Sequence, residues 1–522
     1  MDTRKLCTPA RGLFAILNCR LPIVLILLFV SMAQAQVAKR GGETPEQRTA
    51  RHYETLRGKP PQLFAFLRRM PKGGDLHNHL SGTIYVENFI KWAATQGLCV
   101  NQTTMSFANC DQSANQVPAS TALTNGVLYR QLIDAMSMRN WQLSGQSGHD
   151  HFFDAFGKFG AVSGTQTGPM IAEAASRAAR GRVSYLELMF TTDGGTATSI
   201  GGRVGWDGNP ESTLGKLKDA GINETLVQSR NNLAKAEQEK DKLLKCGTPQ
   251  ADPGCSVTIR YIYSVSRGAA LGPVYAQIVA GFMLASDADS KVVGLNLVQA
   301  EDGFSSMENY TTQMRMLDFL HGQYPKARIS LHAGELAPGV VPPEGLAFHI
   351  RQAVLLGHAE RIGHGVDIMY EDEPEDLLRE MARRNVMVEI CLTSNDVILG
   401  VRGKDHPLAT YIEYGVPVAL ATDDEGLSRS ELSLEFFKAA EEQELNYVQL
   451  KTMARTSLQY SFIPGPSLWR DAKKFVRVLP CARDVPSKGV PSQGCRQFLT
   501  SSDKARLQWK LEEELSSFEN RY

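Results

Sequence analysis

"PKGGDLHNHLSG", residues Pro71–Gly82, is a short apolar run that ends in two histidines, His77 and His79, with Asn78 between them. Side chains alternate along a strand, so positions i and i+2 share a face. At a strand end, His77 and His79 are either two ligands of a chelate or two ordinary polar residues, depending on what the rest of the chain supplies. Seven further β-rich apolar runs follow: Val183–Thr191, Val257–Arg267, Val292–Asp302, Arg328–Glu335, Arg361–Asp367, Val386–Asn395 and Val416–Gly426. Helical stretches such as "NETLVQSRNNLAKAEQEKDKLLK" and "EDLLREMARR" separate them. Eight strands with intervening helices predict an α/β protein of the (β/α)8 TIM-barrel class.

The chain has 522 residues, which suits such a barrel with additions. The expected divisions are a signal peptide at 1–35, an N-terminal helical segment at 36–70, the barrel at 71–465 and a C-terminal extension at 466–522. In the helical segment, "TPEQ" (Thr44–Gln47) reads as an N-cap, a first-turn proline and a capping-box glutamine. An insertion rich in Gln, Ser, Thr and Asn occupies about 97–147, after the first strand. Lys plus Arg and Asp plus Glu are both 56, so no net charge favours nucleic acid or an anionic membrane as partner.

Arg4, Lys5, Arg11 and Arg20 precede the apolar run "LPIVLILLFVSM" and the small residues Ala33 and Ala35. This is the layout of a secretory signal cut after Ala35. A membrane anchor is the competing reading, and the run is short for a span. The expected location is therefore exported, periplasmic or extracellular, with no stable span after cleavage. Export permits disulfides. Cys99 with Cys110, Cys246 with Cys255 and Cys481 with Cys495 each flank a turn-rich stretch and read as local bridges, worth about 2–3 kcal/mol each in a chain-entropy account. Cys391, in the apolar "VEICLTSN", reads as a buried free thiol.

Polar clusters end the candidate strands, on the face where barrels carry their chemistry. They are His77 and His79, then His332 and Glu335 in "LHAGE", His364 in "GHG", and Asp423 and Asp424 in "TDDEG". Singly, each is more often structural; together, at strand ends, they form a constellation. Three histidines and one aspartate fill a mononuclear zinc shell, with water completing it. Zinc-bound water loses a proton near neutral pH. Glu335 is then the candidate acid and base, and His364 a second acid/base or electrostatic group. His149 and His151 in "GHDHFFDAF" repeat the spacing of two, but on a helix start, capped by Asp150, where that spacing does not share a face. His358 falls at the opposite end of the sixth strand and reads as structural.

The motifs "MPKGGDLHNHLSG", "SLHAGE", "ERIGHG", "CLTSN" and "ATDDEG", in this order from residue 70 to about 426, resemble the adenosine deaminase family. The N-terminal helices, the insertion, "HFFDAFGKF" and "TSLQYSFIPG" look like its secreted growth-factor-related branch. The resemblance implies one Zn2+ per subunit, bound by His77, His79, His332 and Asp423. It implies that Glu335 protonates purine N1 during attack at C6, that His364 orients and helps deprotonate the water, that Asp424 bonds N7, and that the Gly294 backbone contacts N3. The implied partner is a small purine nucleoside, adenosine or deoxyadenosine, converted to inosine and ammonia; an oligomer is compatible with this. The fourth strand ends "NLVQAED" without the lysine that two-metal relatives carboxylate, which favours one zinc. Two departures bear on specificity. Ser81 stands where many members have an aspartate facing the ribose, and Met189 where an arginine is common. Another aminopurine or modified nucleoside is the alternative substrate, and a non-catalytic extracellular binding protein the alternative class. The H-x-E and P-C-x-x-C signature of cytidine-type deaminases is not matched: "PCARD" lacks the second cysteine.

Overall fold

The structure, a computed structural model, describes residues 42–111 and 115–522. The expected signal segment lies outside the described residues. The first described helix, Pro45–Glu54, starts as its sequence dictates. The Thr44 hydroxyl accepts the Gln47 amide proton at 3.2 Å, and the Gln47 side chain accepts from the Thr44 amide at 2.9 Å. A second helix, Pro60–Arg69, leads into the barrel.

Eight parallel strands follow: β1 (Gly73–His79), β2 (Val183–Phe190), β3 (Thr258–Ser266), β4 (Val292–Val298), β5 (Ser330–Ala333), β6 (Arg361–His364), β7 (Met387–Ile390) and β8 (Val418–Leu420). Strands β1 to β4 make one four-stranded sheet and β5 to β8 another. Single parallel bridges close the two into a barrel: Leu295–Ile329 between β4 and β5, and Asn78–Asp423 between β1 and the residues after β8. At the second seam the Asp423 amide donates to the His77 carbonyl at 2.9 Å, and the His79 amide to the Asp423 carbonyl at 3.1 Å. The strands are buried on both faces, which is why they read as near-continuous apolar runs.

The expected strands all form, but the later ones are shorter than the apolar runs. The run Val386–Asn395 is a four-residue strand and then a helix, Leu392–Leu399, entered where the Asn395 amide bonds the Cys391 carbonyl at 2.9 Å. "TDDEG" likewise lies beyond β8, in a loop. Strand pairing stops where the chain turns to present polar side chains at the barrel mouth.

The insertion forms a three-stranded antiparallel sheet (Cys99–Asn101, Ser106–Ala108, Gln116–Pro118) and the helix Gly126–Ala135. Disulfides join Cys99 to Cys110, Cys246 to Cys255 and Cys481 to Cys495, and Cys391 is a buried free thiol. The last helix, Asp503–Glu519, folds back so that Lys451 bridges Glu46, at 2.6 Å, and Glu519. That ion cluster ties the N-terminal helix and the C-terminal helix to the same barrel helix, Tyr447–Tyr460. Among the described residues, no helix is long and apolar enough to cross a membrane.

Inside the barrel floor, Arg361 is fully buried. Its guanidinium meets Glu187 at 2.6 Å and Glu389 at 2.7 Å and stacks 3.8 Å over the Phe462 ring. Two buried carboxylates thus share one cation, and removing it strands both. Arg361→Ala is expected to cost about 3–5 kcal/mol of folding stability. Chemical denaturation of the variant beside the parent checks this.

Candidate active site

Barrel closure brings four donor atoms together at the mouth. His77 Nε2 lies 3.0 Å from His332 Nε2, and His79 Nε2 lies 3.1 Å from it. Asp423 Oδ1 is 3.4 Å from His77 Nε2 and 3.3 Å from His79 Nε2. A tetrahedral ion with bonds of about 2.0–2.1 Å holds its ligands about 3.3 Å apart, and these four separations fit a metal ion; His77, His332 and Asp423 also form a close group with His364.

Hydrogen bonding at the far ring atoms tests the fit. His77 Nδ1 sits 2.6 Å from Glu389 Oε2, and His332 Nδ1 sits 2.8 Å from Asn296 Oδ1. The Asn296 oxygen also accepts the His332 amide proton at 2.9 Å, which fixes its orientation as an acceptor. Each neutral ring therefore carries its proton at Nδ1 and turns a lone pair at Nε2 toward the cluster. Lone pairs this close repel unless a cation lies among them. The charges are mixed: against burial, Asp423 and Glu389 push the His77 pKa up to about 10, whereas burial and the neighbouring imidazoles hold His79 and His332 down. A His–carboxylate pair such as His77–Glu389 is the arrangement that orients metal-bound imidazoles.

Asp423 is held for this role. It adopts a left-handed φ of 60°, and its Oδ2 accepts the Ser394 hydroxyl at 2.7 Å. Gly363 lets His77 pack in: a Cβ there would stand 2.5 Å from the His77 ring. Gly82 does the same for Asp424, whose Oδ1 would lie 1.5 Å from a Cβ at that position.

Three further groups face the cluster. Glu335 is buried, and burial together with the negative charges of Asp423 and Glu301 holds its carboxyl well above the usual range. Asp424 is raised likewise by burial and by Asp423, and its Oδ1 has no partner in the protein. His364, also at a left-handed φ (71°), points Nε2 at Glu335 Oε1 from 3.6 Å. Glu335 and Asp424, with His79, His332 and Asp423, border a cavity of about 500 Å3. Phe152, Phe153 and Phe156 of the helix Gly148–Ser163 roof it, Met189, Phe190, Thr191 and Ser264 form one wall, and Ser81 lies beside Asp424 in the lining.

The structure thus gathers His77, His79, His332, Asp423, Glu335, His364, Asp424 and Ser81 at one place. Gly294 is a correction. It lies mid-strand in β4, where a Cβ would meet Phe462 at 2.7 Å, and the cavity is lined instead by Val298, Gln299 and Ala300 beyond that strand's end. His149 and His151 do not ligate together. His151 is buried against the Ser137 carbonyl at 3.0 Å, and His149 bonds Asp302 at 3.0 Å; Ser147, not Asp150, caps their helix. His358 pairs with Asp318 at 2.7 Å.

Several supporting residues escape motif reading. Glu301 accepts the Glu335 amide proton at 2.8 Å and bonds His349 at 2.6 Å. Against the cost of burial, His349 and Arg267 hold Glu301 down at about 2, so its charge stays beside Glu335. Glu389 and Asn296 orient ligand rings. Their signal in the sequence is a single polar residue inside an apolar strand, "VMVEIC" and "GLNLV", since a buried polar group requires a partner.

The sequence profile of the Adenosine deaminase family matches residues 150–470. The chain belongs to the adenosine deaminase family. It is 36% identical over 137 residues to adenosine deaminase from Aliivibrio fischeri, covering 26% of this chain and 38% of that protein. To the Clostridium acetobutylicum adenosine deaminase it is 32% identical over 136 residues, 26% of this chain and 37% of that one. It spans less than half the length of these curated relatives. Its fold resembles adenine deaminase from Arthrobacter aurescens, with TM-score 0.50 and 19% identity over 76% of this chain and 94% of that one. It also resembles Arabidopsis ADAL solved with IMP, with TM-score 0.51 and 19% identity over 78% of this chain and 96% of that one. The (β/α)8 architecture is therefore that of the family.

Two outcomes follow from the geometry. Glu389→Gln, by weakening the hold on His77, is expected to lower metal affinity about 10–100-fold, read by chelator competition. The bond to Asp302 raises the His149 pKa from 6.5 to about 9. A raised folded-state pKa stabilises below the unfolded value and ceases to do so above the folded one. The melting temperature of His149→Gln should therefore fall below the parent's at pH 6, with the gap closing as pH rises from 6.5 to 9.

Proposed function

We propose that the protein is an exported, zinc-dependent adenosine deaminase. The observation that carries this reading is the convergence of His77, His79, His332 and Asp423 beside Glu335 and Asp424, two carboxyl groups whose pKa burial raises. A zinc ion in that donor set supplies water acidic enough to act as hydroxide near neutral pH. Glu335 then does the proton work. Attack at C6 moves electrons onto the purine ring, and a carboxylic acid at N1 lowers that barrier by donating its proton. Asp424, unpartnered at Oδ1, hydrogen-bonds N7. The C6–O bond forms, the C6–N bond breaks, and inosine and ammonia leave. The aromatic roof of Phe152, Phe153 and Phe156 suits the faces of a purine and excludes bulk water.

A second reading, a deaminase of a modified nucleoside, has one observation in its favour. A further hollow of about 810 Å3 adjoins the site across Ser81, Phe190 and Thr191 and carries Lys235 and Asn232 on its rim. Ser81 leaves that junction uncharged, so a substituent on the ribose finds room beyond it. The export assignment rests on the N-terminal sequence and the three disulfides.

Ultraviolet assay of the mature, zinc-loaded protein should show chelator-sensitive conversion of adenosine to inosine. Glu335→Gln should retain zinc and lose roughly 10^2–10^4-fold in kcat. Loss of zinc from that variant counts against the acid role. No conversion of adenosine, with turnover of a 5′- or N6-substituted nucleoside, favours the second reading.

A further inference from the structure

The barrel has another hollow, at the end opposite the histidine–aspartate cluster. Arg328 precedes β5 and Arg361 begins β6, the strands whose far ends carry His332 and His364. Arg384 ends the helix that leads into β7. Together with Tyr460, Phe462 and Lys504 they line a space of about 460 Å3. Four basic side chains, Arg328, Arg361, Arg384 and Lys504, share that lining with one carboxylate, Glu360. Three of the four are compensated: Arg361 by Glu187 and Glu389, Arg328 by Glu360, and Arg384 by Glu380 at 2.6 Å. Lys504 is not. It is 9% exposed, and among the described residues its Nζ meets one hydrogen-bond acceptor, the Gln459 carbonyl at 2.9 Å. An ammonium carries three N–H donors, so two are left without an acceptor in the protein. Lys504 also lies in the first turn of the helix Asp503–Glu519, against the positive end of the helix dipole. Burial and the like charges of Arg328 and Arg361 outweigh the attraction of Glu187 and Glu360, and bring its pKa down to about 8. A buried cation without a counter-charge is costly, and it calls for an anion.

We propose that this hollow in the barrel floor binds a phosphate group, with Lys504 as its buried anchor and Arg328 and Arg384 as its rim. Both arginines direct Nε at a carboxylate, Glu360 and Glu380, and Arg384 Nη1 reaches the Val354 carbonyl at 3.4 Å. Arg328 Nη1 and Nη2 and Arg384 Nη2 keep their N–H groups for a ligand. An ammonium with spare donors beside two half-exposed guanidinium groups is the donor set that a compact, doubly charged oxyanion requires, and charge-assisted bonds of this kind are the strong ones. The hollow is larger than a phosphate ion and falls in the size range of small-molecule sites, so a small phosphate ester also fits, with the Tyr460 and Phe462 rings beside it. Free phosphate and a phosphate ester share the dianionic group that Lys504 recognises. Either one supplies the counter-charge that the protein does not. The site is separate from the cluster at the barrel mouth and does not rest on the deaminase reading.

The test is calorimetric titration of the zinc-loaded, full-length protein with inorganic phosphate and, separately, with ribose 5-phosphate, at constant ionic strength. A single saturable site is expected, with a Kd of about 1 mM or tighter. Tighter binding of the ester assigns the site to a phosphate monoester, and equal binding assigns it to free phosphate. Lys504→Met should weaken binding about 10–100-fold, the worth of a charge-assisted hydrogen bond. In phosphate-free buffer that variant should melt no lower than the parent, because it removes a buried charge. Phosphate should raise the melting temperature of the parent and leave that of Lys504→Met unchanged. Arg384→Gln, at the half-exposed rim, should weaken binding about tenfold and carries the test if Lys504→Met does not fold. A parent without saturable binding overturns the proposal. So does binding that both variants retain, which would put the phosphate on the zinc or on the outer surface.

Discussion

Closure of the barrel between β1 and the residues after β8 is the constraint on which the rest of the structure depends. It consists of a single parallel bridge, Asn78 to Asp423, and two backbone hydrogen bonds. That seam lies between His77 and His79 on one side and at Asp423 on the other. The same few atoms therefore both complete the fold and gather the histidine–aspartate cluster. A slip of one residue at the seam would turn His77 and His79 to the wrong face, because side chains alternate along a strand. The left-handed conformation of Asp423 is understandable in this light. It is the local cost of ending a strand pairing and aiming a carboxylate inward at the same residue.

Concentrating three imidazoles and several carboxylates in a dry interior creates a large desolvation cost, and the surrounding structure is organised to offset it. The compensation runs downward through the barrel as a chain of paired charges. Asp423 faces His77, His77 bonds Glu389, Glu389 pairs with Arg361, and Arg361 pairs with Glu187, whose Oε1 accepts the Phe462 amide at 2.6 Å. Every link is buried, so each strengthens the next in a low-dielectric setting, and each is vulnerable to the loss of its neighbour. The floor of the barrel is thus electrostatically continuous with its mouth.

Not every carboxyl group is compensated. Glu301 is, through His349 and Arg267, and stays ionised. Glu335 and Asp424 are not, and burial with neighbouring negative charge holds their pKa well above the usual carboxylate range. This division separates a paired acid from two that resist ionisation on one short stretch of barrel mouth. An ionised Glu301 holds the Glu335 backbone and at the same time raises the affinity of the Glu335 carboxyl for its proton. Position and protonation state come from one contact.

The eight strands, the barrel class and the polar residues that gather at the barrel mouth were legible in the sequence, because each rests on local information. Strand runs are set by apolar continuity, and the histidines and acids announce themselves where those runs end. The reading failed where the relevant property depends on distance through space. Gly294 was expected at the site from the family resemblance, yet it lies mid-strand, where a Cβ would meet the Phe462 ring. The run Val386–Asn395 looked like one strand, yet its second half is the helix that carries Ser394 to Asp423 and Asn395 to His364. The sequence by itself determined which chemical groups the chain owns and which face of each strand they take. Only the tertiary structure decided which ring nitrogens of His77 and His332 meet an acceptor and which carboxyl groups resist ionisation, because those depend on hydrogen-bond partners and buried charges far along the chain.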